Sequence, residues 1–236
     1  MFLLRSILTI YTVAAVLPAA ILMIFVYKQD KVESEPVGLI GSLLLRGVFA
    51  ALLAMVLETI LQELLPNFVS PANPYYMAFF AFIVVAMAEE GAKMFFMHRR
   101  VWRDVNFNYK FDAIVYAAAV SLGFAGFENI LYVFGYGLSV APSRAMLAIP
   151  GHLSFSVFMG IFYGRAKLFD NQGEASKCRF NMVLAYVASV FCHGVYDACL
   201  MLETVDALMV FVVFVIAMFI TAFTTIKREA KTDVEI

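Results

Sequence analysis

The sequence predicts an all-α protein, a polytopic transmembrane helix bundle of about seven spans. Apolar residues make up 63% of the 236-residue chain and charged residues 15%, with a mean hydropathy of +0.86. Soluble domains carry about 25% charged residues. The apolar residues also gather into runs of roughly 20, the helical length that crosses a hydrocarbon core about 30 Å thick. A third observation bears on function: four of these runs carry polar motifs of acids, a lysine and histidines.

The spans are expected at about 7–27, 38–62, 75–97, 112–136, 142–164, 180–202 and 206–226. They leave no room for a soluble domain, so residues 1–236 read as a single integral membrane domain, without repeats or low-complexity tracts. The first run is too long for a signal-peptide core, and no small-x-small site precedes Lys28, so it reads as a span. Asp30, Glu33 and Glu35 follow it directly and dilute its signal. In the second run Arg46 lies a third of the way in, where it snorkels or pairs with a glutamate, and it is given no role. Glu58 and Glu63 read as interfacial. The longest connections are expected at 98–111 and 165–179. Cys178, Cys192 and Cys199 make no disulfide framework, and the latter two lie in apolar runs as small hydrophobes.

Positive charge orients such a bundle. Lys28, Lys31, Arg99, Arg100, Arg103, Lys110, Arg165, Lys167, Lys177, Arg179, Lys227, Arg228 and Lys231 all fall on one side if there are seven spans. The other side carries Arg5 and Arg144. The chain is therefore expected as a multi-pass protein of the cell membrane, N-terminus outside and C-terminus cytoplasmic. Its net charge of −1 gives no reason to expect a nucleic-acid partner; the lipid bilayer is the surrounding expected.

An ionisable side chain at membrane depth costs about 2.5–3.5 kcal/mol on insertion scales, so it faces the bundle interior and marks function. Four spans carry such groups: Glu89, Glu90 and Lys93 in EEGAK; Glu128 in FAGFEN; His152 and Ser156 in the fifth span; His193 and Asp197 in CHGVYD. At 1.5 Å per residue, Glu89 and Glu90 lie roughly 12–14 Å from the cytoplasmic helix ends, His152 and His193 roughly 20 Å, and Glu128 roughly 24 Å. Antiparallel helices thus bring acids and imidazoles to one layer, at the midplane or in the outer half.

Spacing adds to this. Glu89 and Glu90 stand four and three residues before Lys93, on its face of the helix. The lysine can hold one carboxylate ionised and leave the other to exchange a proton, as a general base must. His152, Ser156, Gly160 and Gly164 form an i,i+4 stripe of small residues that admits a close helix neighbour. Pro150 and Gly151 loosen the helix just before His152. Asp197 lies one turn after His193 and can orient it. Two imidazoles with carboxylates also match the ligand types of zinc, although the HExxH helix is absent. A proton- or cation-coupled transporter would gather the same groups; against it, the chain shows no inverted repeat.

Taken in order, these motifs resemble the PrsW family of intramembrane proteases, which is itself similar to the type II CAAX-processing and bacteriocin-processing enzymes. The family pattern is EExxK, FxxxE, a His followed by small residues at helical spacing, and a final His. Here it reads EEGAK (89–93), FAGFE (124–128), HLSFSVFMGIFYG (152–164) and His193, covering about 75–200. The resemblance implies a catalytic four-helix core over 75–203 that cleaves a single-pass, membrane-anchored regulator, such as an anti-sigma factor, near its extracytoplasmic side. It matches Glu89 and Glu90 to the paired glutamates, Glu128 to the second-motif glutamate, and His152 and His193 to the two histidines. In the CAAX-type relatives the second motif ends in His and the third reads HxxxN; Glu128 and Ser156 depart from both. Two chemistries follow. In both, Glu89 activates a water and Glu90 assists or pairs with Lys93. In one, His152 and His193 bind Zn2+ and Glu128 completes the metal shell or orients a ligand. In the other, metal-free, the imidazoles stabilise the oxyanion.

Overall fold

The computed structural model describes the backbone of residues 2–236 and the side chains of all of these but 2–4 and 7. Seven long helices run through it: α1 (Phe2–Tyr27), α2 (Val37–Leu64), α3 (76–101), α4 (Asp112–Tyr136), α5 (Leu138–Asn171), α6 (Ala175–Met201) and α7 (Val205–Lys231). Among the described residues six are long and apolar enough to cross a membrane. The exception is α3, where Glu89, Glu90, Lys93, His98, Arg99 and Arg100 lower the hydropathy of an otherwise spanning helix. Its length and place in the bundle complete an all-α membrane protein of about seven spans.

Helix α4 is the hub. Its strongest apolar window is 72% buried, against 22% for α1 and α7. The alanine-rich stretch 113–119 explains why, because small side chains let α1, α2 and α5 approach its axis. The small-residue stripe of α5 meets α4 in this way. A Cβ on Gly160 would lie 2.7 Å from the Ile114 Cα, closer than carbon atoms approach. Helices α5 and α6 pair along their lengths, and α7 closes the bundle against both.

Two helices are wound as π-helix just before their buried ionisable residues: Phe80–Ala86 in α3 and Arg144–Ala148 in α5. π-Turns are rare and gather at functional sites, because the extra residue per turn re-aims the side chains that follow. In α5 the π segment leads into Pro150, which has no N–H to offer the preceding turn.

The connections differ from expectation in one respect. The segment 165–179 is mostly helix, since α5 runs on to Asn171 and α6 starts at Ala175, leaving a turn at 172–174. These polar residues still favour helix once outside the bilayer, where their side chains reach water. The connection at 102–111 is a true loop. It holds the C-terminal tail: Lys110 N–H donates to the Val234 carbonyl (3.0 Å), Ile236 N–H to the Asn108 carbonyl (2.8 Å), and Phe111 N–H to Asp233 Oδ1 (2.8 Å). Beneath the loop Trp102, Phe107, Tyr116 and Tyr163 form an aromatic cluster. Asp30 and Glu35 of the first loop are buried at this same end. Loss of hydration raises the Asp30 carboxyl to about 6 and the Glu35 carboxyl to about 7.

Candidate active site

Helix α3 presents Glu89, Glu90 and Lys93 to the bundle interior, α5 presents His152, and α6 presents His193; all five are buried. Lys93 sits at the centre. Its Nζ donates to Glu89 Oε2 (3.0 Å) and Glu90 Oε1 (2.7 Å), and lies 3.1 Å from His152 Nδ1. It also lies 4.0 Å from the centroid of the Phe124 ring, so the second-motif phenylalanine stacks against the ammonium. Donation from Lys93 to Nδ1 places the proton of a neutral His152 on Nε2, 3.1 Å from Glu128 Oε2.

His193 is held from both sides. Its Nδ1 is 3.0 Å from Glu90 Oε1 and its Nε2 3.1 Å from Asp197 Oδ2. The Phe155 ring stacks on it at 4.6 Å. The two imidazoles stand 5.5 Å apart, nearly perpendicular. One connected network therefore contains Glu89, Glu90, Lys93, His152, His193, Glu128 and Asp197. Ser156 stands apart from it: its hydroxyl donates to the Leu153 carbonyl (2.7 Å), within its own helix.

The two adjacent glutamates differ in access. A cavity of about 490 Å³ is lined by Glu89, Glu128, His152, His193 and Asp197, but not by Glu90, which has no exposed surface. From these polar groups the cavity reaches Arg144 near the start of α5 and Met201 at the end of α6, the bundle end opposite the basic loops. Glu89 can meet a water or a substrate there. Glu90 can act only through Lys93 and His193.

Two lining residues were not assigned to the site from the sequence. Arg144 donates to Glu128 Oε2 (2.7 Å) and Asn129 Oδ1 (2.8 Å), and its guanidinium lies 3.8 Å from the Tyr132 ring centroid. A lone arginine on the side otherwise nearly free of positive charge was the available signal. Glu58 lines the cavity instead of facing the interface. Nothing in its local sequence marks this, because it depends on how α2 is rotated. Arg46 donates back to the Ser42 carbonyl (3.2 Å) and has no part in the site.

Donor atoms of Glu89, Glu90, His152 and His193 all lie within 4.8 Å of one another. Two carboxylates and two imidazoles are zinc-type ligands. Glu90 Oε2 is buried without a hydrogen-bond partner, so a lone pair remains for an ion. The residues thus fit a metal ion, with the Lys93 ammonium competing for the same acids. Glu128 lies outside this group of four, engaged by Arg144 and His152.

Comparison with known proteins agrees with the geometry. Residues 35–223 match the family described as PrsW family intramembrane metalloprotease. The chain is 35% identical over 185 residues to Protease PrsW of Geobacillus kaustophilus, covering 78% of this chain and 76% of that one. It is 32% identical over 220 residues to Protease PrsW of Halalkalibacterium halodurans, covering 93% and 97%. Protease PrsW of Bacillus subtilis is 32% identical over 186 residues, covering 78% and 79%. No solved structure matches. With a buried acid–imidazole network opening to a cavity among membrane-spanning helices, and with this likeness along most of its length, the chain belongs to the PrsW family and is an intramembrane protease.

Proposed function

We propose that the protein hydrolyses a peptide bond of a single-pass membrane protein near its extracytoplasmic face, with Glu89 as general base. The observation that carries this is the unequal access of the paired glutamates. Glu89 lines the cavity beside both imidazoles, whereas Glu90 is sealed against Lys93 and His193. Glu89 takes a proton from a water, whose oxygen bonds to the scissile carbonyl carbon. His193 Nε2, which faces Asp197 at the cavity wall, turns its N–H from that carboxylate to the oxygen that gains charge. The C–N bond then breaks, and the proton held by Glu89 passes to the leaving nitrogen. Asp197 and Glu90 fix the plane of His193. Glu128, itself held by Arg144, orients His152. A metal ion held by His152, His193 and a carboxylate of the 89–90 pair would supply a Lewis acid for the carbonyl.

The cavity leads away from the basic loops, and positive loops stay cytoplasmic. Its mouth therefore faces outward, with the N-terminus outside and the C-terminus inside. A membrane-anchored regulator such as an anti-sigma factor has a segment at that height.

The test is cleavage of a single-pass substrate by purified protein in proteoliposomes. Glu89→Gln should lower the rate by about 10² or more, the range of a lost general base, while the folded helix content stays unchanged. Wild-type cleavage by Glu89→Gln would refute the assignment. Chelation followed by zinc return separates the two chemistries: activity lost and recovered marks the metal version, and activity unaffected marks the metal-free one.

A further inference from the structure

A second cluster of acids lies at the other end of the bundle. Asp30 and Glu35 come from the α1–α2 loop and Asp112 from the first turn of α4; all three are at least 96% buried. One oxygen from each lies within 4.8 Å of the others. Asp112 Oδ2 accepts from the N–H groups of Asn108 (3.1 Å) and Tyr109 (2.7 Å). Glu35 Oε1 lies 2.8 Å from the Tyr116 hydroxyl, which also faces the Asn106 carbonyl at 3.0 Å.

What remains is unusual. Asp30 Oδ2, Glu35 Oε2 and Asp112 Oδ1 are buried without a hydrogen-bond partner outside the cluster, within which the Glu35 and Asp112 carboxyls face each other; among the described residues the only other buried side-chain atom without a partner is Glu90 Oε2. No lysine, arginine or histidine among the described residues forms an ion pair with any of the three. At this end of the bundle Lys110 pairs with Glu229 (2.9 Å) and Arg100 with Asp104, and neither reaches the three acids. Buried carboxylate oxygens are normally hydrogen-bonded, paired or bound to a metal.

We propose that Asp30, Glu35 and Asp112 form a binding site for a hard divalent cation, of the calcium or magnesium class. The ligand set is all oxygen, which selects such ions over zinc or copper. Oxygens no more than 4.8 Å apart fit around one ion at the usual distance of about 2.3–2.6 Å for calcium, or at about 2.1 Å for magnesium with some closure. The ion would be structural. It would tie the α1–α2 loop to the start of α4 and, through Asp112 and the 102–111 loop, to the docked C-terminal tail. The cluster is also separate from the protease site: Asp112 and Glu128 are roughly 24 Å apart along α4 at 1.5 Å per residue.

The experiment uses the full-length protein in lipid nanodiscs, stripped with EDTA and titrated with Tb3+, whose luminescence is excited through tyrosine. Tyr116 is placed to act as the antenna. Saturable one-to-one luminescence, displaced by Ca2+ or by Mg2+, is expected, and whichever displaces it at lower concentration names the ion. The saturating ion should raise the Tm by about 5 °C. In Asp30→Asn/Glu35→Gln the affinity should fall by about tenfold or more, whereas Glu89→Gln should bind as the wild type does. Absence of saturable binding to the wild type would overturn the proposal. So would unchanged affinity in the double variant, or binding lost in Glu89→Gln, which would place the ion at the protease site.

Discussion

Lys93 sets the electrostatics of the candidate active site. It contacts two carboxylates and an imidazole at 2.7–3.1 Å from a position only 2% exposed. The residue pattern EEGAK already implied the two ion pairs, because i,i+3 and i,i+4 side chains meet on a helix face. It did not imply that the same ammonium would reach His152 on another helix. Taking the lysine away strands two buried acids. Removing one partner of a buried ion pair costs about 3–5 kcal/mol, since the remaining charge stays desolvated. Lys93→Met should therefore lower the thermal unfolding temperature markedly and abolish cleavage, whereas Glu89→Gln, which keeps the ammonium paired to Glu90, should slow cleavage by about 10² or more with a much smaller thermal effect. Equal melting of Lys93→Met and wild type would show that the cluster is not held by this ammonium.

At the scale of elements, helix placement relies on backbone contact as much as on apolar side chains. Helices α2 and α4 cross where Gly47 faces Val120 and Gly123 faces Leu44. A Cβ on either glycine would lie 2.1 Å from a backbone carbonyl oxygen of the other helix. Such an overlap is relieved only by moving the helices apart, which costs about 1–3 kcal/mol or more. Gly123→Ala should thus lower the unfolding temperature. Gly135→Ala on the same helix meets nothing within 4 Å and should leave it unchanged. Similar melting of the two variants would argue against a close α2–α4 crossing. The glycine stripe of α5 was legible in the sequence as a periodic pattern. The Gly47–Gly123 pair was not, because the two residues lie far apart in the chain and their facing depends on how both helices are rotated. The π-wound segments were hidden for a related reason. Pro150 marked the loosening in α5, but no local breaker marks Phe80–Ala86.

At the scale of the whole molecule, the two ends of the bundle divide the labour. One end carries the basic loops, the docked tail and the three-acid cluster; the other receives the cavity from the acid–imidazole network. If the basic end is cytoplasmic, a single cysteine at Ser143, exposed near the cavity mouth, should react with a membrane-impermeant maleimide in intact cells. A single cysteine at Gln172, exposed in the turn between α5 and α6, should react only after permeabilisation. Cys178, Cys192 and Cys199 would first be replaced. The reverse labelling pattern would invert the orientation and move the site of cleavage to the inner face.

Composition and run length were sufficient for the architecture, because a bilayer demands about 20 apolar residues per helix and leaves little else for such a chain to form. The ionisable residues within those runs were sufficient to nominate Glu89, Glu90, Lys93, Glu128, His152 and His193, since membrane depth makes such groups costly wherever they are not used. Neither consideration distinguishes Glu89 from Glu90, one residue apart in the same motif. The tertiary structure separates them, because access depends on which helices pack over each side chain: α6 and Lys93 close over Glu90, and the cavity remains beside Glu89. The recruitment of Arg144 and Glu58, and the meeting of Asp30, Glu35 and Asp112, were decided in the same way, by helix rotations that leave no periodic trace in the chain.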